Sequence, residues 1–198
     1  MKTKPSCVRR TSCRLCGGRK LELVLSLAPT PVADAFWPEN RLHEPQEKFP
    51  LDLFFCLDCH HAHLLDVVDP DILYRDYLYA TLTSLGLQEH FDSYASSVVD
   101  RLGTPKGSLV VELGSNDGTL LRFFLENGLK VLGIDPAREI AARATKDGIE
   151  TLPAFFTAEL ARELRAARGP AAIVTANNVF AHSDKLAEIA GGIRTLLD

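Results

Sequence analysis

Leu109-Val110-Val111-Glu112-Leu113-Gly114-Ser115-Asn116-Asp117-Gly118-Thr119 is the stretch that decides the fold. A short apolar run reads as a strand. It breaks at a glycine turn, and a helix is expected from Thr119 to Asn127, stopped by Gly128. Such a turn brings backbone N–H groups and a helix N-terminus to a ligand. The pattern is Glu112-x-Gly114-x-x-x-Gly118, with Asn116 where a dinucleotide fingerprint has its middle glycine. Without that glycine a pyrophosphate finds less room against the backbone.

An acid two residues before the first glycine suits a cationic ligand better than a pyrophosphate. S-adenosylmethionine carries an ammonium and a sulfonium and has no phosphate. The next apolar run, Val131 to Ile134, ends at Asp135, where an acid can accept bonds from ribose hydroxyls. Gly114 and Asp135 alone leave the cofactor ambiguous, and a plain βα turn without a ligand is the bland alternative.

The alternation continues toward the C-terminus. Pro136 is expected to open a helix that Gly148 ends, and Thr151 to Phe155 is a weaker strand. Thr157 caps a helix that stops at Gly169-Pro170. Ala171 to Ala176 is a fourth strand, and a last helix starts near Ser183. Strands alternating with helices of this length imply an α/β fold with a parallel sheet and right-handed crossovers. The fourth strand leads into Asn177-Asn178-Val179-Phe180-Ala181-His182. Ligands of open parallel sheets sit outside the carboxyl ends of strands. Two consecutive amides there suggest a ligand, unless each satisfies its own backbone.

Upstream, Gly103 to Gly107 reads as a linker. Leu87, Phe91, Ala95, Val98, Val99 and Leu102 recur at helical spacing from about Leu85. Asp69-Pro70 reads as an N-cap followed by proline at the first helical position. Further upstream, Pro29, Pro31, Pro38, Pro45 and Pro50 disfavour long helices. Leu21 to Leu27 and Phe49 to Cys56 are the strand candidates. This gives three segments: a metal-binding region 1–68, a helical connector 69–106, and a cofactor domain 107–198.

Two Cys-x-x-Cys pairs frame the first segment: Cys13 with Cys16, and Cys56 with Cys59. Zinc takes four tetrahedral ligands, and two such turns supply them. Four thiolates leave no open position, so the zinc is structural. Cys7 is left over, an incidental thiol or an alternative ligand. Cys56-Leu57-Asp58-Cys59-His60 also matches a haem-attachment pattern. Haem would need an export signal and would leave Cys13 and Cys16 unexplained. His60, His61 and His63 read as exposed side chains beside the second turn.

The 198 residues carry a formal net charge of −4, with 46% hydrophobic and 24% charged residues. An acidic chain does not advertise nucleic-acid binding. The N-terminus leads into no apolar signal region, and no run approaches the ~20 residues that span a bilayer. The expectation is a cytoplasmic protein with reduced thiols, away from nucleic acid and membrane.

Cys13-Arg14-Leu15-Cys16-Gly17, Thr30-Pro31-Val32-Ala33-Asp34, Phe49-Pro50-Leu51 and Cys56-x-x-Cys59 together resemble the zinc-binding N-terminal domain of the nucleotide-sugar C-methyltransferases. Tyr77-Leu78-Tyr79 and Glu89-His90-Phe91 resemble the following helical segment. Val111 to Gly118 and Asn177 to His182 resemble that family's S-adenosylmethionine domain. The resemblance runs in order along nearly the whole chain. It implies a small zinc-binding domain followed by a Rossmann-like class I methyltransferase domain, with strand order 3-2-1-4 for the four strands here.

By resemblance, the substrate is a keto-deoxysugar on a nucleoside diphosphate, usually dTDP. A base removes the proton α to the ketone, and the resulting enolate carbon attacks the sulfonium methyl. Tyr79 and His182 are the candidates for substrate contact or acid/base work. Glu112, Gly114, Asn116, Gly118, Asp135, Asn177 and Asn178 are the candidates for cofactor binding. The family core has seven strands, a further domain and a Glu-His pair beyond the point where Asp198 falls. The expectation is therefore an N-terminal half, its domain truncated, with a separate chain as one way to complete the fold. Thr81-Leu82-Thr83-Ser84 departs from the family's serine-rich stretch, and His60 stands where the family often has glycine. The rival readings are a non-catalytic remnant, an NAD(P)-dependent sugar enzyme and a zinc-ribbon interaction module.

Overall fold

The computed structural model describes residues 5–33, 35–75, 77, 80–81 and 86–197. The chain divides into two compact units, residues 1–77 and 78–198.

The first unit is built from short antiparallel strands. β1 (Cys7–Arg9) pairs with β5 (Asp66–Val68), and β2 (Leu21–Leu25), β3 (Leu53–Cys56) and β4 (Ala62–Leu64) form a sheet in that order. The second strand is two residues shorter than its apolar run. Phe49 contributes only an isolated bridge to Thr30, because Pro50 next to it has no N–H for a ladder. Asp69 caps α1 (Pro70–Tyr74), its carboxylate accepting from the Asp71 amide at 3.2 Å. The buried apolar set is thin: Cys13, Phe49, Phe54, Cys56 and Leu65. Leu23, Val24 and Leu25 on the outer strand, and Leu27 just after it, are each about half exposed. A core this small needs a staple such as a metal.

The second unit begins with α2 (Leu87–Leu102), which ends at Gly103 in the left-handed region (φ 58°). The amides of Gly103 and Thr104 then take up carbonyls of the last turn. The predicted start at Leu85 lies outside the described residues.

Strands and helices then alternate: β6 (Leu109–Leu113), α3 (Thr119–Glu126), β7 (Lys130–Ile134), α4 (Arg138–Lys146), β8 (Thr151–Leu152), α5 (Ala158–Arg168), β9 (Ala171–Thr175) and α6 (Leu186–Leu197). All four strands are parallel, in the order β8-β7-β6-β9. This is the predicted 3-2-1-4 order, with β6 second from one edge. Alternate residues of β6 serve opposite faces. Val110 packs with Leu120, Leu121 and Phe124 of α3 and Ala95 of α2. Val111 packs with Ala161 and Leu164 of α5 and Leu196 of α6. The strand order reverses between β6 and β9, which is where open α/β sheets place ligands.

Three boundaries moved. Helix α4 begins at Arg138 rather than Pro136, because the Asp135 carboxylate holds the Ala137 amide (2.8 Å) ahead of the first turn. Strand β8 stops at Leu152, since Pro153 offers no donor and the Ala154 amide turns back to Leu152. The last helix begins at Leu186, after a 3-10 turn over Phe180–His182. The Thr157 cap is as expected, its hydroxyl accepting from the Leu160 amide at 3.1 Å. No helix among the described residues is long and apolar enough to cross a membrane.

Candidate functional site

In the first unit the two cysteine turns have the same backbone. The Cys13 amide donates to Gly18 O and the Gly17 amide to Cys13 O. Equivalently, the Cys56 amide donates to His61 O and the His60 amide to Cys56 O. Gly17 (φ 75°) and His60 (φ 62°) both adopt the left-handed conformation after the second cysteine of each pair. His60 thus occupies a position a glycine fits without strain.

This equivalence folds the long intervening loop back on itself. The Sγ atoms of Cys13, Cys16, Cys56 and Cys59 lie within 4.8 Å of one another. The Cys13–Cys59 pair is at 3.7 Å and the Cys16–Cys56 pair at 3.6 Å. A tetrahedron of sulfurs about 2.3 Å from zinc has edges of about 3.8 Å, so the cluster fits the ion.

The thiols also need a cation electrostatically. Burial raises Cys13, but the Cys16 and Leu15 amides outweigh it and hold it at about 7. The His61 amide lowers Cys59, yet burial and the three neighbouring sulfurs push it up to about 12. Zinc binds the thiolate form, so a metal here draws protons off the cluster.

Cys7 sits in β1 outside the cluster. Glu47 and Asp66 lie near it and, after burial, raise its thiol. His63 corrects the sequence expectation. It is buried, stacked on His61 (ring centroids 5.0 Å), because β4 turns it onto the face that Phe54 occupies.

In the second unit, the predicted cofactor residues converge on the carboxyl ends of β6, β7 and β9. Glu112 is 4% exposed and its Oε2 has no hydrogen-bond partner. Burial pushes its carboxyl well above the usual range. The Asn177 side chain opposes this, and Asp135 and Asp117 add to it. Asn177 Nδ2 is itself buried, with the Glu112 carboxyl as its neighbour. Asp135 is buried too, and burial raises its carboxyl against the Ala137 and Asn116 amides that lower it. Its Oδ2 accepts from the Asn116 amide and its Oδ1 from the Ala137 amide, both at 2.8 Å.

Gly114 (φ 66°) and Gly118 (φ 76°) bracket the turn. Both have a packing reason beyond their φ. A Cβ on Gly114 would run into Val179 Cγ2, and one on Gly118 would meet Ile149 Cγ2 at 2.8 Å. Asn116 is left-handed as well (φ 52°), and its Oδ1 accepts from the Thr81 amide. Asn178 is exposed at φ 54°, and His182 is exposed at the end of the 3-10 turn. Tyr79 lies outside the described residues.

Sequence reasoning passed over three residues of this rim. Ser115 Oγ and Thr175 Oγ1 are buried without hydrogen-bond partners, and Val179 fills the notch at Gly114. Their signal was position: Ser115 stands inside the glycine turn, and Thr175 ends the fourth strand. The rim as a whole is acidic, with the Glu112 carboxyl and the Asn177 amide side by side and two orphaned hydroxyls. Buried polar atoms of this kind need a partner, water or ligand.

Two domain families match the chain. Residues 13–74 match a family described as a zinc binding domain, and residues 87–198 match a methyltransferase domain family. The C-methyltransferase NovU of Streptomyces niveus is 36% identical over 185 residues, covering 93% of this chain and 44% of that protein. The chain thus spans less than half the length of that relative. Among solved structures, magnesium protoporphyrin IX methyltransferase from Synechocystis PCC 6803 matches with a TM-score of 0.46 at 20% identity, over 58% of this chain and 56% of that one. Streptomyces venezuelae DesVI matches with a TM-score of 0.44 at 18% identity, over 59% and 50%. With more than half of its length matched by one domain model, the chain belongs to the methyltransferase domain family, and a zinc binding domain precedes that domain.

Proposed function

We propose that this chain carries the zinc-binding and cofactor-binding parts of an S-adenosylmethionine-dependent C-methyltransferase acting on a nucleotide-linked keto-deoxysugar. The observation that carries this reading is the buried Glu112 carboxyl, one oxygen unpartnered, on an acidic rim at the strand switch. A buried carboxylate without a counter-charge is costly, and a ligand ammonium removes the cost. Pyrophosphate cofactors would meet like charge there instead. The likeness to a C-methyltransferase supports the reaction class.

S-adenosylmethionine, when bound, supplies an electrophilic methyl group on sulfur. The residues of this chain hold and orient. Glu112 and Asn177 would hold the charged end, Asp135 would accept from ribose hydroxyls, and Gly114 and Gly118 shape the turn. Asn178 and His182 follow β9, where a substrate would reach them. Tyr79 and His182 contact the sugar or move its proton, histidine being the side chain most often used for such transfer. Orienting two reactants is a large share of such catalysis. Zinc, held by Cys13, Cys16, Cys56 and Cys59, has a structural role. The proposed substrate carries dTDP, and the proposed compartment is the cytoplasm.

Calorimetry on the purified chain tests the cofactor. S-adenosylmethionine is expected to bind and NADH is not. Asp135→Ala is expected to weaken binding about ten- to hundredfold, the loss of a charge-assisted bond. Binding of NADH in competition, or no S-adenosylmethionine binding, would overturn the reading.

A further inference from the structure

Asn116 breaks the glycine spacing of the cofactor turn, and the structure gives it other work. Its backbone sits at φ 52°, which asparagine tolerates better than other residues with a side chain. Its amide donates to Asp135 Oδ2 at 2.8 Å. Its carboxamide Oδ1 accepts from the backbone amide of Thr81 at 2.9 Å, a residue 35 positions upstream in the same compact unit. Thr81 follows Tyr79 by two residues in the connector. A glycine at this position would keep the backbone conformation and lose the tether.

We infer that Asn116 is a positioning residue that ties the connector at Thr81 to the cofactor turn, through the continuous path Asp135, Asn116, Thr81. The path starts at the carboxylate assigned to the cofactor ribose. It ends beside the segment assigned to substrate contact. Ligand engagement at Asp135 therefore stiffens Asn116 and, through it, the Thr81 amide. The coupling to a ligand rests on the function proposed above; the tether itself does not.

The experiment is amide hydrogen exchange by NMR on the full chain, for wild type, Asn116→Gly and Asn116→Asp, with and without S-adenosylhomocysteine. Without ligand, N116G is expected to speed exchange at Thr81 about three- to tenfold, the worth of one ordinary hydrogen bond. Amides of β6 serve as the control for folding. N116D keeps an acceptor oxygen and the tolerance for positive φ, so it is expected to restore protection at Thr81. With ligand, protection at Thr81 is expected to rise in wild type and N116D and not in N116G.

Equal Thr81 exchange in wild type and folded N116G overturns the tether. So does an unprotected Thr81 amide in wild type, a result that needs no variant. A ligand-induced gain at Thr81 in N116G equal to that of wild type overturns the coupling. Absence of S-adenosylhomocysteine binding to wild type defeats the cofactor reading alone, because the ligand-free comparison still decides the tether.

Discussion

Replacing Glu112 by glutamine should make the ligand-free protein more stable and its cofactor binding weaker. Glu112 is 4% exposed, with one carboxylate oxygen unpartnered. Burial, then Asp135 and Asp117, hold its carboxyl well above the usual range, against the Asn177 side chain. The native state thus keeps a proton that the unfolded chain releases near its ordinary value of 4.5. Where the native state binds more protons, stability falls as pH rises. Wild-type stability should therefore decline from about pH 4.5 upward until the folded carboxyl has titrated. The glutamine side chain carries no charge, so E112Q removes that decline.

Below pH 4.5 the two proteins should be alike. At neutral pH the variant should gain about 1–3 kcal/mol, from roughly 1.4 kcal/mol for each pH unit above 4.5 over which the native carboxyl keeps its proton. For a chain of this size that is a rise in Tm of roughly 2–12 °C. Losing the charge-assisted bond to the ligand ammonium should weaken S-adenosylmethionine by about ten- to hundredfold. Thermal melts across pH and calorimetry on both proteins make the test. A variant that melts lower at neutral pH, or that binds S-adenosylmethionine as tightly as wild type, would refute the reasoning.

Cys56→Ser should lose the metal and unfold the first unit, since structural zinc contributes of order 10 kcal/mol in small zinc peptides; elemental analysis and circular dichroism read the two effects. Gly114→Ala should destabilise the second unit by about 1–2 kcal/mol for its φ alone, and by more because Val179 occupies the space of the new methyl. Val179→Ala in the same chain should recover only the steric part, so the double variant should melt between Gly114→Ala and wild type.

Much of this protein is local, and the local part was legible. Caps at Asp69 and Thr157, stops at Gly103 and Gly128, and branched runs at Leu109–Leu113 and Ala171–Thr175 each act within a few residues. Right-handed crossovers then leave few sheet orders, and the family resemblance selected the one observed. The zinc ligands were legible for the same reason. A Cys-x-x-Cys turn is a local geometry, and two of them leave a tetrahedral ion few alternatives.

The misread boundaries were also local effects, too fine for periodicity: a proline without an N–H at Pro50 and Pro153, and a carboxylate reaching the Ala137 amide. What the sequence by itself determined is therefore the elements, their order and the residue types at the strand ends. Only the tertiary structure decided which of those residues meet. His63 is buried by its strand pairing, and the Glu112 carboxyl is buried between β7 and β9 beside Asn177. Gly114 is required by a valine from another loop, and Asn116 serves a backbone amide 35 residues away. These are contacts between segments far apart in sequence, and no short-range pattern encodes them, because their energy exists only once the layers have packed.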